Sequence, residues 1–178
     1  RISVITPNFN GERFLEQAVK SVVGQRDDGL DVEYLLVDGG STDGSLAIAE
    51  KYSTGISSIV SEPDNGPSNA INKGLARATG DILCWLNADD YYHPGALGRV
   101  VDTMADNPDK ALCFGHCPIV NESGSEIRAG ITRFKEFFFP ISSRFTIQCI
   151  NYVSQPAMFF RRTAFEKAGP LREDLKCA

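Results

Sequence analysis

Asp81-Ile82-Leu83-Cys84-Trp85-Leu86-Asn87-Ala88-Asp89-Asp90 carries an apolar run of strand length straight into two adjacent carboxylates. Hydrophobic burial anchors such a strand, which places Asp89 and Asp90 at its carboxyl end, where open α/β sheets keep their ligands. Two neighbouring anions repel each other, and a confined site holds both when a cation neutralises them. Carboxylate oxygens suit hard cations such as Mg²⁺ and Mn²⁺, and Mg²⁺ commonly takes one or two carboxylates plus substrate phosphates. The competing reading of the pair is a solvated turn after a strand.

Working outward, the first half alternates strand and helix patterns. Ile2 to Thr6 reads as a buried strand, broken by Pro7-Asn8-Phe9-Asn10-Gly11. Phe14, Leu15, Ala18, Val19, Val22 and Val23 then recur at helical spacing. Val32 to Val37 is a second strand ending at Asp38, and Gly39 to Gly44 a loop into the helix Ser45 to Tyr52. Ile56 to Val60 is a third strand, and Pro67 opens the helix Ser68 to Ala78. Pro94 and Gly95 lead into a helix through Val100, Val101 and Met104. This order predicts a mostly parallel sheet with helices on both faces.

Beyond Pro108, Leu112 to Val120 and Glu126 to Ile131 read as an antiparallel pair around Asn121-Glu122-Ser123-Gly124. Arg133 to Phe139 reads as a short helix, Ile141 to Ser154 as a long functional loop, Ala157 to Phe160 as a strand and Arg162 to Ala168 as a helix. Phe137-Phe138-Phe139-Pro140-Ile141 is too short to span a bilayer. It suits burial under a loop, with contact to a membrane or a lipid-linked substrate as the alternative.

The 178 residues suit one domain with a real core, and the net charge of −5 argues against a nucleic-acid partner. Five irregularly spaced cysteines suggest thiols in a reducing compartment rather than a disulfide framework, hence a cytoplasmic expectation. No signal-peptide pattern or eighteen-residue apolar run is read. Cys113, His116 and Cys117 have a zinc-like look, but no second Cys/His cluster completes a tetrahedral set, and strand packing is the stronger reading.

Three loops following parallel strands should converge on one sheet edge: Thr6 to Asn10, Asp38 to Gly44, and Asn87 to Asp90. Asp38 is placed to hold a ribose hydroxyl or a base edge. The turn Pro7 to Glu12 lacks the glycine pattern of a dinucleotide-binding loop, and no P-loop occurs. Asp43 is read as turn and helix-cap chemistry.

Ser3-Val4-Ile5-Thr6-Pro7-Asn8-Phe9-Asn10 resembles the start of the family-2 glycosyltransferases of GT-A fold. Leu36 to Gly44 is similar to that family's V-D-D-G-S-T-D-G loop, and Asp64 to Ala76 to its D-x-G-x-x-x-A-x-N-x-G helix. Leu86 to Asp90 resembles its D-x-D-like metal motif, and Gln155 to Arg162 an acceptor-side segment of a bacterial subgroup. The resemblance implies a GT-A, Rossmann-like α/β fold with a small antiparallel addition. It also implies a single domain over residues 1–178, with a nucleotide-sugar-binding half (1–108) and an acceptor-side half (109–178).

By that resemblance the activity is metal-dependent, inverting transfer of a sugar, UDP-linked by preference, to a hydroxyl of a glycan or lipid-linked acceptor. It implies polysaccharide or glycolipid synthesis in the cytoplasm or at the inner face of the plasma membrane, with peripheral membrane contact. Thr6, Pro7, Asn10 and Asp38 would line the nucleoside pocket, and Asp64 and Lys73 would support the sugar-phosphate region. Asp89 would lie near ribose and metal, and Asp90 would bind the Mn²⁺ or Mg²⁺. A salt bridge elsewhere is the other reading of Lys73.

Two departures from the family pattern stand out. Gly39 occupies the position of the loop's second aspartate, so a base contact falls to Asp38 or is lost. The family's general base follows a segment resembling Gly169 to Leu175 by several residues, so the expectation is a chain cut short, with its base beyond Ala178. Glu173 and Asp174 match positions before the base. Two other classes compete. A non-catalytic nucleotide-sugar-binding module is favoured by Gly39 and opposed by Asp89-Asp90. A nucleotidyltransferase would want a basic glycine-rich loop after the first strand, which Pro7 to Arg13 is not.

Overall fold

The computed structural model describes residues 1–175 and forms two compact units, Arg1–Cys113 together with the segment from Phe159 on, and Phe114–Met158. The first unit begins β1 (Ile2–Asn8), α1 (Glu12–Val23), β2 (Val32–Asp38), α2 (Ser45–Lys51), β3 (Ser58–Ser61), α3 (Pro67–Arg77), β4 (Ile82–Trp85) and α4 (Ala96–Asp106). Alternate residues of the central strands face opposite sides, as a pleated strand requires. Ile2, Val4, Tyr34 and Leu36 pack with Leu15, Val19, Leu97 and Met104 on one face. Ile5, Leu35 and Val37 pack with Ala70, Ile71 and Leu75 of α3 on the other. Strands buried on both faces read as near-continuous apolar runs, which is why this half is so legible in the sequence.

Downstream lie β5 (Leu112–Phe114), β6 (Ile119–Val120), β7 (Glu126–Ile127), α5 (Ala129–Phe137), α6 (Arg144–Cys149), β8 (Met158–Arg161) and α7 (Arg162–Ala168). The main sheet has the order β3-β2-β1-β4-β8-β5, and β6 and β7 form a separate two-stranded ribbon. β1 pairs in parallel with β2 and β4, β2 in parallel with β3, and β8 runs antiparallel to β4. The α/β, mostly parallel expectation holds, with helices on both faces. No helix among the described residues is long and apolar enough to cross a membrane.

Several local expectations change. The strand leading to Asp89 stops at Trp85, and Asn87 to Asp90 is a turn closed by the Asp90 N–H on the Asn87 carbonyl at 3.1 Å. The expected long hairpin shrinks to Ile119–Val120 against Glu126–Ile127, because Leu112–Phe114 joins the main sheet and Ala129 already starts a helix. The expected loop Ile141 to Ser154 contains α6, started by a Ser143–Thr146 capping box. Within the second unit the aromatic run divides. Phe138 stacks on Tyr152 at 5.5 Å and Phe139 meets Phe114 at 5.2 Å, whereas Phe137 and Ile141 are exposed rather than buried under a loop. His116 pairs with Glu136, and no group of three or more metal-ligating side chains occurs among the described residues.

Candidate functional site

The chain leaves β1 for β2 and β3 on one side and returns to β4 on the other, so the strand order reverses between β1 and β4. β4 accompanies β1 only as far as Ile5 opposite Trp85, while β1 continues with β2 to Asn8 opposite Asp38. The two neighbours part there, at the carboxyl ends of the strands, where doubly wound sheets bind ligands. A cavity of about 480 Å³ occupies this point. Its wall includes Pro7 and Asn8 at the end of β1, Phe9 after it, Asp64 and Gly66 just before α3, and Asn87 and Asp89 after β4.

Asp38 is fully buried, and its carboxylate is occupied by the chain itself. One oxygen accepts from Asn8 Nδ2 at 2.8 Å and from Ser41 Oγ. The other accepts from the Gly40 N–H at 3.1 Å, the Ser41 N–H at 2.9 Å and Ser61 Oγ at 2.8 Å. Burial alone would push this carboxyl up, but the bonds from Ser41, Asn8 and Ser61 outweigh it and hold it below the ordinary aspartate range. Asp38 therefore organises the Gly39–Ser41 loop and is not part of the cavity wall.

Asn8 is only 4% exposed and was not singled out from the sequence. Its amide nitrogen donates to Asp38 and to Ser41 Oγ, so its orientation follows from the carboxylate it must face. Oδ1 is left buried with no partner among the described residues. Buried acceptors are nearly always satisfied, and this one belongs to a cavity-lining residue. Only the fold shows this, because Asn8 is polar in a run that any turn would tolerate.

The remaining expected residues divide. Pro7 and Asp64 line the cavity. Thr6 is fully buried, accepts a bond from the Tyr34 hydroxyl at 3.0 Å and lies outside the wall, contrary to its expected place. Asn10 joins two loops, its Oδ1 accepting the Thr42 N–H at 2.9 Å and its own N–H reaching Ser41 Oγ at 2.8 Å. Lys73 forms the salt bridge that was its other reading, with Glu62 at 3.0 Å, and also donates to the Pro63 carbonyl. Asp43 is a cap, accepting from the N–H groups of Ser45 and Glu12, both at 3.0 Å. Glu173 accepts from Asn69 at 3.0 Å and Asn72 at 2.9 Å, and Asp174 pairs with Arg172.

Asp89 is exposed at the cavity wall, and Asp90 is partly buried just behind it. Burial first, then the charge of Asp89, pushes the Asp90 carboxyl up to about 6, against a bond from Asn87 Nδ2 at 3.3 Å. A cation at the pair would relieve both causes. Two carboxylates with no third protein ligand match a Mg²⁺ or Mn²⁺ that takes its remaining oxygens from phosphate and water. The donor set fits such an ion.

The sequence profile of Glycosyl transferase family 2 matches residues 3–169. The chain belongs to that family. An uncharacterized glycosyltransferase of Nostoc sp. is 30% identical, the alignment covering 96% of this chain and 54% of that protein. Among solved structures, S. aureus TarS 1–349 in complex with UDP superposes with a TM-score of 0.78 at 23% identity, covering 100% of this chain and 52% of that one. The mannosyltransferase PcManGT from Pyrobaculum calidifontis, in complex with GDP-Man and Mn²⁺, gives 0.70 at 20% identity, covering 98% and 48%. These likenesses establish a shared fold. The chain spans about half the length of the Nostoc relative and of the TarS 1–349 chain.

Proposed function

We propose that this family-2 domain binds a nucleoside-diphosphate sugar, UDP-linked by preference. It would serve metal-dependent, inverting transfer to an acceptor hydroxyl in polysaccharide or glycolipid synthesis. The observation that carries the reading is the cavity between β1 and β4, with carboxylates on opposite walls and a buried acceptor without a partner between them. The ligands of TarS and PcManGT support it.

Asp90 and Asp89 would hold Mn²⁺ or Mg²⁺, whose charge offsets the charge developing on the departing diphosphate. The chain's own groups do the rest. Pro7 and Phe9 offer apolar wall to a base or ribose, Phe9 being 65% exposed. Asn8 Oδ1 accepts a ligand hydroxyl, and Asp38 keeps the neighbouring loop in shape. The division into a donor-binding half (1–108) and an acceptor-side half (109–178) goes with this reading. So does work at a cytoplasmic membrane face, supported by exposed Phe134 and Phe137 on the helix that carries Arg133 and Lys135. Calorimetric titration of UDP and GDP with and without Mn²⁺ tests the proposal. Metal-dependent binding, tighter for UDP, is expected, and no binding of either under both conditions would sink it.

A second reading, nucleotide-sugar binding without catalysis, is favoured by the engagement of Glu173 and Asp174, which leaves neither poised as a base. Sugar transfer that Asp90→Ala abolishes would exclude it.

A further inference from the structure

We infer that Asp64, working through the absence of a side chain at Gly39, is the specificity-determining residue that reads the nucleobase, by accepting the ring N–H of uracil. The inference rests on the nucleotide-sugar reading above.

The loops that follow β2 and β3 run side by side, and Gly39 of the first faces Asp64 of the second. A Cβ placed on Gly39 would stand 2.5 Å from Asp64 Oδ2 and 3.0 Å from its Cγ, so the Asp64 carboxylate occupies the space a side chain at 39 would take. Gly39 does not need to be glycine for its backbone: the positive-φ glycines include Gly40 at 84° and Gly66 at 110°, but not Gly39. What a residue there would displace is Asp64.

Asp64 is itself held. Its Oδ1 accepts the Gly66 N–H at 2.8 Å in a local turn that opens α3. Oδ2 has no hydrogen bond among the described residues, and Asp64 belongs to the cavity wall whereas Asp38 does not. The other carboxylate of that wall among the described residues, Asp89, lies beyond β4, across β1 from the loops that follow β2 and β3. A nucleoside diphosphate laid along the sheet edge with its phosphates at Asp89 and Asp90 therefore brings its base to Gly39 and Asp64. One free carboxylate oxygen matches the single ring N–H of uracil. Cytosine presents an unprotonated ring nitrogen at that place, and an anion facing it is repelled.

Calorimetry with UDP and CDP in the presence of Mn²⁺ provides the test, with thermal melts as a folding control. The parent should prefer UDP by more than about tenfold, because the mismatch loses a charge-assisted bond. Asp64→Asn should weaken UDP by about ten- to a hundredfold and narrow the UDP:CDP ratio, since the new amide can donate to cytosine. Asp64→Ser keeps an acceptor for Gly66 and should lose the preference. Adding Gly39→Asp to it returns a carboxylate to the same space and should restore most of the preference. That rescue would not follow from a merely structural role, and it carries the test should Asp64→Asn fail to fold. An unchanged UDP:CDP ratio in Asp64→Asn, or no rescue by Gly39→Asp, overturns the assignment alone. A parent that binds no nucleoside diphosphate overturns the nucleotide-sugar reading together with it.

Discussion

At the scale of single residues, Asp38 and Asp90 carry opposite electrostatic burdens. Asp38 sits in a nest of donors that holds its carboxyl below the ordinary range. The folded state thus prefers its ionised form. This stabilisation is complete above the unfolded value of roughly 3.9 and is lost as pH falls through the lowered folded value. Asp38→Ala should cost ~3 kcal/mol, because one buried and several partly buried donors lose their acceptor together, and urea melts at neutral pH would measure it. The same melts repeated at decreasing pH should show parent and variant converging in acid. Asp90 is the reverse case, pushed up to about 6 by burial and by Asp89. A metal ligand must be deprotonated, so Mn²⁺ affinity should fall as pH drops through about 6, read by titration of Mn²⁺ alone. Asp90→Ala should weaken that binding by more than about tenfold, since even outer-shell partners are worth that much. Equal affinity in variant and parent removes the metal assignment.

At the scale of elements, α3 does two jobs that its sequence only hints at. It starts at Pro67, straight after the Asp64 turn, and lies against β1 so closely that a Cβ on Gly74 would stand 2.4 Å from Ile5 Cγ2. Gly74 thus trades helix propensity for contact, which keeps the carboxyl-terminal turn of the helix seated on β1. Gly74→Val should cost ~1–3 kcal/mol through overpacking, seen as a lower urea midpoint with an unchanged slope. A neutral outcome would mean that Ile5 yields. The far side of α3 holds the Leu171 backbone through Asn72, with bonds of 2.9 Å and 2.8 Å, and Glu173 through Asn69 and Asn72. A polar pattern on a helix face reads as solvent contact in a sequence, and here it is a clamp on chain about a hundred residues away.

At the scale of the whole molecule, the residues that line the cavity all come from the first unit, whereas Glu173 and Asp174 are already engaged by Asn69, Asn72 and Arg172. The 178-residue chain should therefore bind UDP with Mn²⁺ yet transfer sugar slowly, because an unpositioned base forfeits about 10²–10⁴-fold in rate. Coupled assays with candidate nucleotide sugars should show binding, slow hydrolysis at most, and little transfer. Brisk turnover would make Glu173, Asp174 or another residue the base.

The sequence by itself determined the alternation of strands and helices, the parallel core and the placing of Asp89 and Asp90 after β4. These follow from hydrophobic period and from breakers, which are local properties of the chain. Tertiary structure alone decided which carboxylate faces the cavity. Asp38 and Asp64 are equally acidic on paper, but the partners that enclose Asp38 come from Asn8, Ser41 and Ser61, and the space that admits Asp64 comes from Gly39. Likewise Thr6 turned to the core, Asn8 was left with a buried acceptor, and the second unit took short strands and helices where a hairpin and a loop were expected. A hydrogen bond between distant loops leaves no period in the sequence, so its consequences become visible only once the sheet has brought the loops together.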